Sequence, residues 1–351
     1  MLHIANTFLE WELEKNPPAQ TPLAQAFNRN PIILQLQFLP LLYANTEDIL
    51  LVSHLPELSD RRGQMRLETS LDEMITGPLD TWGASRILKH WALRQQAAYS
   101  IPDWHIIQKV NSKAFSWDLS PKLPFAALLH NKQQAHQWLS TIQGPYVLKT
   151  CFGVSGGGHL IETSPTTATP FFLEKEWKHN RPVIAEPWVE RILDFSTQWM
   201  IEKNSLISFI GSTLCNNTLR GQYRSTSVGD EAILFGSYLP FLEEHKVIVS
   251  PLLQQIAQEG YVGHIGIDAM VYLHPDHHCP TLHPVVEINA RKTMGWIALA
   301  FQKKHYPNQH IQLSYGPAQE GLLPQAIQLP NGKQLRFSRN LQCKTIQNLD
   351  V

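Results

Sequence analysis

The heptapeptide Val285-Val286-Glu287-Ile288-Asn289-Ala290-Arg291 constrains this chain more than any other stretch. It alternates apolar and polar residues with a period of two. In an extended strand, side chains two apart share a face. Glu287, Asn289 and Arg291 therefore project together, while Val286, Ile288 and Ala290 point into a core. Two oxygen-bearing groups and a fixed cation on one face make a cradle for a divalent metal and the phosphates it holds. A solvent-facing strand shows the same alternation, so the heptapeptide alone leaves both readings open.

A second segment, residues 263–272, reads as a strand with Asp268 set among apolar residues. Residues 273–284 carry Pro275, Pro280 and Pro284, which interrupt regular structure and turn the chain back. A hairpin of this kind brings Asp268 beside Glu287. Two buried carboxylates need a cation between them. Mg²⁺ suits the place, since it takes oxygen ligands and leaves positions for phosphates. Alternatively, Asp268 ends a strand or pairs with a basic neighbour.

Further upstream, Tyr146-Val147-Leu148-Lys149 is a short apolar run ending in a lysine. Thr150 to Gly158 follows as a loop containing Gly153, Gly156, Gly157 and Gly158, and Leu160-Ile161 resumes an apolar run. Glycines let backbone N–H groups close on an anion without side-chain obstruction. The order is not that of a Walker A loop, which places Gly-Lys-Ser/Thr after the glycines. Nor is it a dinucleotide fingerprint, which runs into a helix. It predicts a hairpin flap over phosphates, with a plain flexible hairpin as the alternative.

These segments fall in a fixed order: Lys113, then Lys149 and its flap, then the apolar run into Glu186-Pro187-Trp188-Val189-Glu190, then Asp268, then Glu287/Asn289/Arg291. Over roughly residues 80–300 this series resembles the ATP-grasp superfamily. The Trp82-Gly83 step is similar to the pre-ATP-grasp lobe of its peptide ligases. The resemblance implies that Lys113 and Lys149 contact ATP phosphates and that Ser155, Gly156, Gly157 and Gly158 cover them. Glu186, Trp188 and Val189 would line the adenine slot, and Asp194 would stand where an acidic ribose ligand is common. Asp268, Glu287 and Asn289 would hold Mg²⁺, with Arg291 against the transferred phosphate or the reacting carboxylate. Pro187 departs from the pattern, which often has a basic residue there.

The expected fold class is α/β, with an ATP-grasp nucleotide site between two lobes and an α/β pre-ATP-grasp lobe in front. The expected division is 1–100, 101–190 (with the flap) and 191–351. At 351 residues the chain is long enough for two or three packed lobes. A net charge of −1 argues against a general binder of nucleic acid or of membrane surfaces. No apolar run reaches bilayer length and the start lacks the pattern of a secretion signal. Cys151, Cys215, Cys279 and Cys343 are scattered, which fits a reducing cytoplasm. Cys151 reads as a packing residue. Residues 31–37 and 49–52 predict strands, 82–99 and 123–142 helices, and 251–259 a short helix. Residues 123–142 would link strands carrying the two lysines. From residue 311 onward, short strands are expected.

His274, His277, His278 and His283 crowd the turn with Asp276 and Cys279, but the intervening prolines spoil zinc-like spacing, and no metal is assigned there. Arg220 and Arg224 flank a glycine and are candidate clamps for a substrate carboxylate, or surface residues of a loop. Asp230 and Glu231 read as a solvated acidic pair. The implied activity is that of an ATP- and Mg²⁺-dependent ligase joining a carboxylate to an amine, on amino acids or small peptides. A small-molecule kinase and a non-catalytic nucleotide-binding protein are the alternatives. Small-molecule substrates are the expected partners, and the oligomeric state is left open, a homodimer included.

Overall fold

The first strand, β1 (Leu2–Ile4), is buried along its whole length because it lies inside a parallel sheet. It is joined by β2 (Ile49–Leu51), β3 (Arg66–Glu68) and β4 (Leu79–Thr81) in the order β3-β2-β1-β4. All pairings are parallel. The structure is a computed structural model and describes residues 1–57, 65–69, 78–153, 158–218, 221–317 and 320–346. The core of this part is built by Ile4, Phe8, Leu9, Phe27, Phe38 and Leu50, and it runs on into Ile297, Phe301 and Leu313 of the C-terminal part.

A second sheet, in the order β5-β8-β6-β7, is antiparallel. Its strands are β5 (Ala127–Leu129), β6 (Tyr146–Lys149), β7 (His159–Glu162) and β8 (Val183–Pro187). The third sheet has β9 (Arg191–Ile201), β10 (Ile207–Asn217), β11 (Tyr223–Val228), β12 (Gly263–Leu273), β13 (Pro280–Asn289) and β14 (Ile311–Pro317). The pair β15 (Ala326–Gln328) and β16 (Gln334–Arg336) stands apart, and β17 (Arg339–Thr345) closes the third sheet beyond β14. Its order is β13-β12-β9-β10-β11-β14-β17. Long helices Leu239–Gln258 and Met294–His305 pack on it.

Several expectations from sequence are corrected. Residues 31–37 are not a strand: Pro31–Leu36 is a helix, started by Asn30, whose side chain accepts from the Ile33 N–H at 2.9 Å, with Pro31 at the first helical position. A short apolar run cannot itself distinguish the two. The helix predicted over 82–99 covers only Arg86–Arg94, because Ser85 caps it through the Leu88 N–H at 3.1 Å. Residues 123–142 hold β5 and the helix Lys132–Thr141, and Lys113 opens the helix Lys113–Leu119 instead of lying in a strand. The helix expected at 251–259 is the end of Leu239–Gln258, which passes through an exposed Pro251.

The β12–β13 turn is tighter than the prolines suggested. Pairing runs out to Leu273 and Pro280, leaving residues 274–279 as the turn. Pro284 is tolerated within β13 because the register shifts there, with Asp268 opposite Glu287 but Met270 opposite His283. The rings of His274 and His277 stack at 4.5 Å. Cys151 is buried and donates to the Pro182 carbonyl, as befits a packing residue. Asp230 caps the helix Glu231–Phe235, while Glu231 pairs with Lys246 at 2.8 Å, so neither is simply solvated.

Candidate active site

The β12–β13 pairing places Asp268 directly across from Glu287. The two carboxylates face a cavity of about 250 Å³ that also receives Lys113, Lys149 and Arg291. Each is then handled differently. Burial first, and Glu287 second, push the Asp268 carboxyl up to about 6. Burial also opposes ionisation of Glu287, yet Lys113, with its Nζ 2.8 Å from Glu287 Oε1, holds that carboxyl below its ordinary value. Asn289 bridges the pair to the cation beyond them. Its Nδ2 donates to Asp268 at 2.9 Å, and its Oδ1 accepts from Arg291 at 2.5 Å. Among the described residues, no three His, Cys, Asp or Glu side chains cluster closely enough to hold a metal alone. Mg²⁺ does not require that: it is commonly held by one or two carboxylates plus phosphate oxygens. Asp268 and Glu287, with Asn289 as a third oxygen donor, fit such an ion arriving with a nucleotide.

The lysines come from separate elements. Lys113 is buried at the start of its helix, where its N–H donates to the Cys151 carbonyl at 3.0 Å. Lys149 ends β6, and its Nζ lies 2.5 Å from Glu186 of β8. Burial works against the Glu186 charge, but Lys149 keeps its carboxyl below normal. Across β7, His159 pairs in register with Lys149. Burial, then Lys149 and Lys113, lower its imidazole to about 4. Gly158 has φ of +85°, and a Cβ there would collide with the Thr150 hydroxyl, so the flap needs glycine at this position. Ser155, Gly156 and Gly157 lie outside the described residues, as does Arg220.

Trp188, Arg191 and Asp194 line the same cavity. The Trp188 N–H donates to the Pro145 carbonyl at 2.8 Å, and the Arg191 guanidinium lies 5.0 Å from the Trp188 ring centre. Asp194 is engaged by Arg191 at 3.0 Å and by Asn217 at 3.0 Å. Val189 packs against Leu123, Met270 and Tyr272, to the side of the cavity. Arg224 is exposed and stands apart from the cavity, which β11 lines with Tyr223 and Thr226. Glu10, Thr7 and Trp82 of the N-terminal part also line it, and sequence reasoning did not single them out as site residues. The usable signal was their position just after β1 and β4. Glu10 pairs with Arg291 Nε. Gly83 lies so close that an added Cβ would sit 2.8 Å from the Arg291 Cβ.

No protein-family model matches the chain, and no curated protein matches it in sequence. Solved structures do resemble it in shape. A Rhizobium etli pyruvate carboxylase superposes with a TM-score of 0.51 at 12% identity, over 80% of this chain and 30% of that one. N5-carboxyaminoimidazole synthetase from Staphylococcus aureus, complexed with ADP, gives 0.45 at 14% identity over 67% and 64%. Biotin carboxylase from Campylobacter jejuni gives 0.47 at 13% over 65% and 56%. In each case the match spans less than two thirds of the other protein's length. Likeness at this identity speaks to architecture, and the architecture of this mixed α/β chain is the ATP-grasp fold.

Proposed function

We propose that the protein is an enzyme, an ADP-forming ligase that uses ATP and Mg²⁺ to join a small-molecule carboxylate to an amine. The supporting observation is the convergence of Asp268, Glu287, Asn289, Arg291, Lys113 and Lys149 on one cavity. In this reading Lys113 and Lys149 balance triphosphate charge, and Ser155 to Gly158 cover it. Glu186, Trp188 and Val189 border the adenine, and Asp194 stands near the ribose. Bound Mg²⁺ would neutralise phosphate charge and orient the transferred group. Asp268 and Glu287 supply its anionic ligands, and Asn289 an oxygen. Arg291, tied to Asn289, faces the reacting carboxylate, where it offsets repulsion between that anion and the γ-phosphate. The carboxylate takes the phosphoryl group, giving an acylphosphate and ADP. The amine then displaces phosphate and loses a proton to form the amide. Arg220 is assigned to a second carboxylate, such as that of an amino-acid acceptor, whereas Arg224, exposed and away from the cavity, is given no such role.

The proposed lobes are 1–100, 101–190 and 191–351, and the compartment is the cytoplasm. Among the described residues no helix is long and apolar enough to cross a membrane. The experiment is a screen of ATP turnover against paired amino acids, with mass detection of products. Release of ADP and phosphate only when acid and amine are both present, with an amide product, supports the ligase. A phosphorylated hydroxyl compound formed from one acceptor would replace it with a kinase.

A further inference from the structure

The parallel sheet reverses its direction of growth between β1 and β4. From β1 the chain adds β2 and then β3 on one side, whereas β4 returns to the other side of β1. In open parallel sheets, ligands bind beyond the carboxyl ends of the strands at such a switch point. Here the two segments leaving that point are bound to each other. The Asn6 side chain accepts from the N–H groups of Trp82 and Gly83, at 3.0 and 3.3 Å, and donates to the Gly83 carbonyl at 3.0 Å. Thr7 and Trp82 are thereby carried to the edge of the cavity that contains Arg291.

Both side chains are more than nine-tenths buried, and each has a polar atom without a hydrogen-bond partner among the described residues: Thr7 Oγ1 and Trp82 Nε1. Buried polar atoms are nearly always paired, and leaving one unpaired is costly. Two such atoms on residues that line one cavity, at a topological switch point, mark a place where a ligand completes the bonding as it enters. The indole N–H can only donate, so the ligand must offer an acceptor there. Among the described residues lining the cavity, each lysine and arginine already has a carboxylate: Lys113 with Glu287, Lys149 with Glu186, Arg191 with Asp194 and Arg291 with Glu10.

We propose that Thr7 and Trp82 form the subsite for the organic carboxylate substrate, their O–H and Nε1–H donating to its oxygen atoms beside Arg291. This rests on the ligase reading of the same cavity. The neutral donors fix the substrate's orientation, and Arg291, shared between Glu10 and the incoming anion, meets its charge.

The test uses Thr7→Val, which keeps shape and removes one polar atom, and Trp82→Phe, which removes the indole N–H together with part of the ring. Thr7 Oγ1 has no protein partner to lose, so ligand-free Thr7→Val should melt at the same or a higher temperature, whereas Trp82→Phe should melt lower because of the space it leaves. Calorimetry is then run with Mg²⁺, a non-hydrolysable ATP analogue and a carboxylate panel of bicarbonate, acetate, glycine, L-alanine and L-glutamate. Wild type should bind at least one of these. Each variant should bind it at least tenfold more weakly, with nucleotide affinity within twofold of wild type. Equal carboxylate affinity in wild type and variants would overturn the proposal and leave the two atoms as water sites. So would wild type binding no carboxylate, or a large loss of melting temperature in Thr7→Val. Absence of nucleotide binding by wild type would instead strike the ligase reading itself.

Discussion

Lys292 follows Arg291 directly and is 1% exposed, and its ammonium is ion-paired with Asp80. The rings of Tyr43 and Trp296 lie 4.9 and 4.5 Å from that ammonium, and the Lys292 N–H donates to the Trp82 carbonyl at 2.8 Å. This pair fastens the strand end that carries Arg291 to the N-terminal sheet. Asp80→Asn would leave a buried ammonium without its counter-ion. Breaking such a pair from one side costs roughly 3–5 kcal/mol, and the aromatic faces soften the loss by about 1–2 kcal/mol. Lys292→Met is gentler, because Asp80 keeps donors in Tyr43 (2.9 Å) and His3 (2.8 Å). The expected order of stability in urea unfolding is therefore wild type, then Lys292→Met, then Asp80→Asn, with the last lower by roughly 1–4 kcal/mol. Losses below about 1 kcal/mol in Asp80→Asn would refute the argument, since that is the range of a solvent-screened surface pair.

Glu287→Gln should lower turnover by roughly two orders of magnitude or more while the protein stays folded, because it removes one of two anionic metal ligands with little change of shape. Steady-state kinetics check it, and near-normal turnover would make Glu287 structural. Gly83→Ala places a Cβ against Arg291 and Leu9. Overpacking of this kind costs about 1–3 kcal/mol, so the variant should melt earlier and turn over more slowly; wild-type values in both would show that the approach is looser than drawn. His245 is fully buried and its imidazole is lowered by burial to about 4. The unfolded chain takes up that proton below about pH 6.5 and the native protein only near 4, so stability is lost as pH falls through this window. His245→Gln should flatten the slope of unfolding free energy between pH 6.5 and 4.5 by up to about 1.4 kcal/mol per pH unit; an unchanged slope would contradict the burial argument.

The sheets that carry the nucleotide motifs were legible because their signals are local. The alternation around Glu287, the apolar run through Asp268 and the lysine-ended strand at Lys149 each declare a strand by period or composition. The N-terminal part was harder to read. Residues 31–36 are apolar at every position but Gln35, so no period separates helix from strand, and the capping by Asn30 decided for helix. Lys113 sits in a segment too short for a period to show, and its place depends on the Cys151 carbonyl. Glu10, Thr7 and Trp82 reach the cavity only because β1 and β4 are neighbours, a pairing between residues nearly eighty positions apart that no local pattern reports. Arg224 reads from sequence as either a carboxylate clamp or a surface residue of a loop, and its exposure on β11 fits the second.

The central claim is that the paired carboxylates of β12 and β13 serve a metal bound with ATP. Titration calorimetry of ATP into wild type and into Glu287→Gln, each with millimolar Mg²⁺ and again with chelator, tests it most directly. Wild type should bind ATP tightly only when Mg²⁺ is present, and the variant should lose most of that metal-dependent gain. Equal ATP affinity with and without Mg²⁺ in wild type, or no binding at all, would contradict the account.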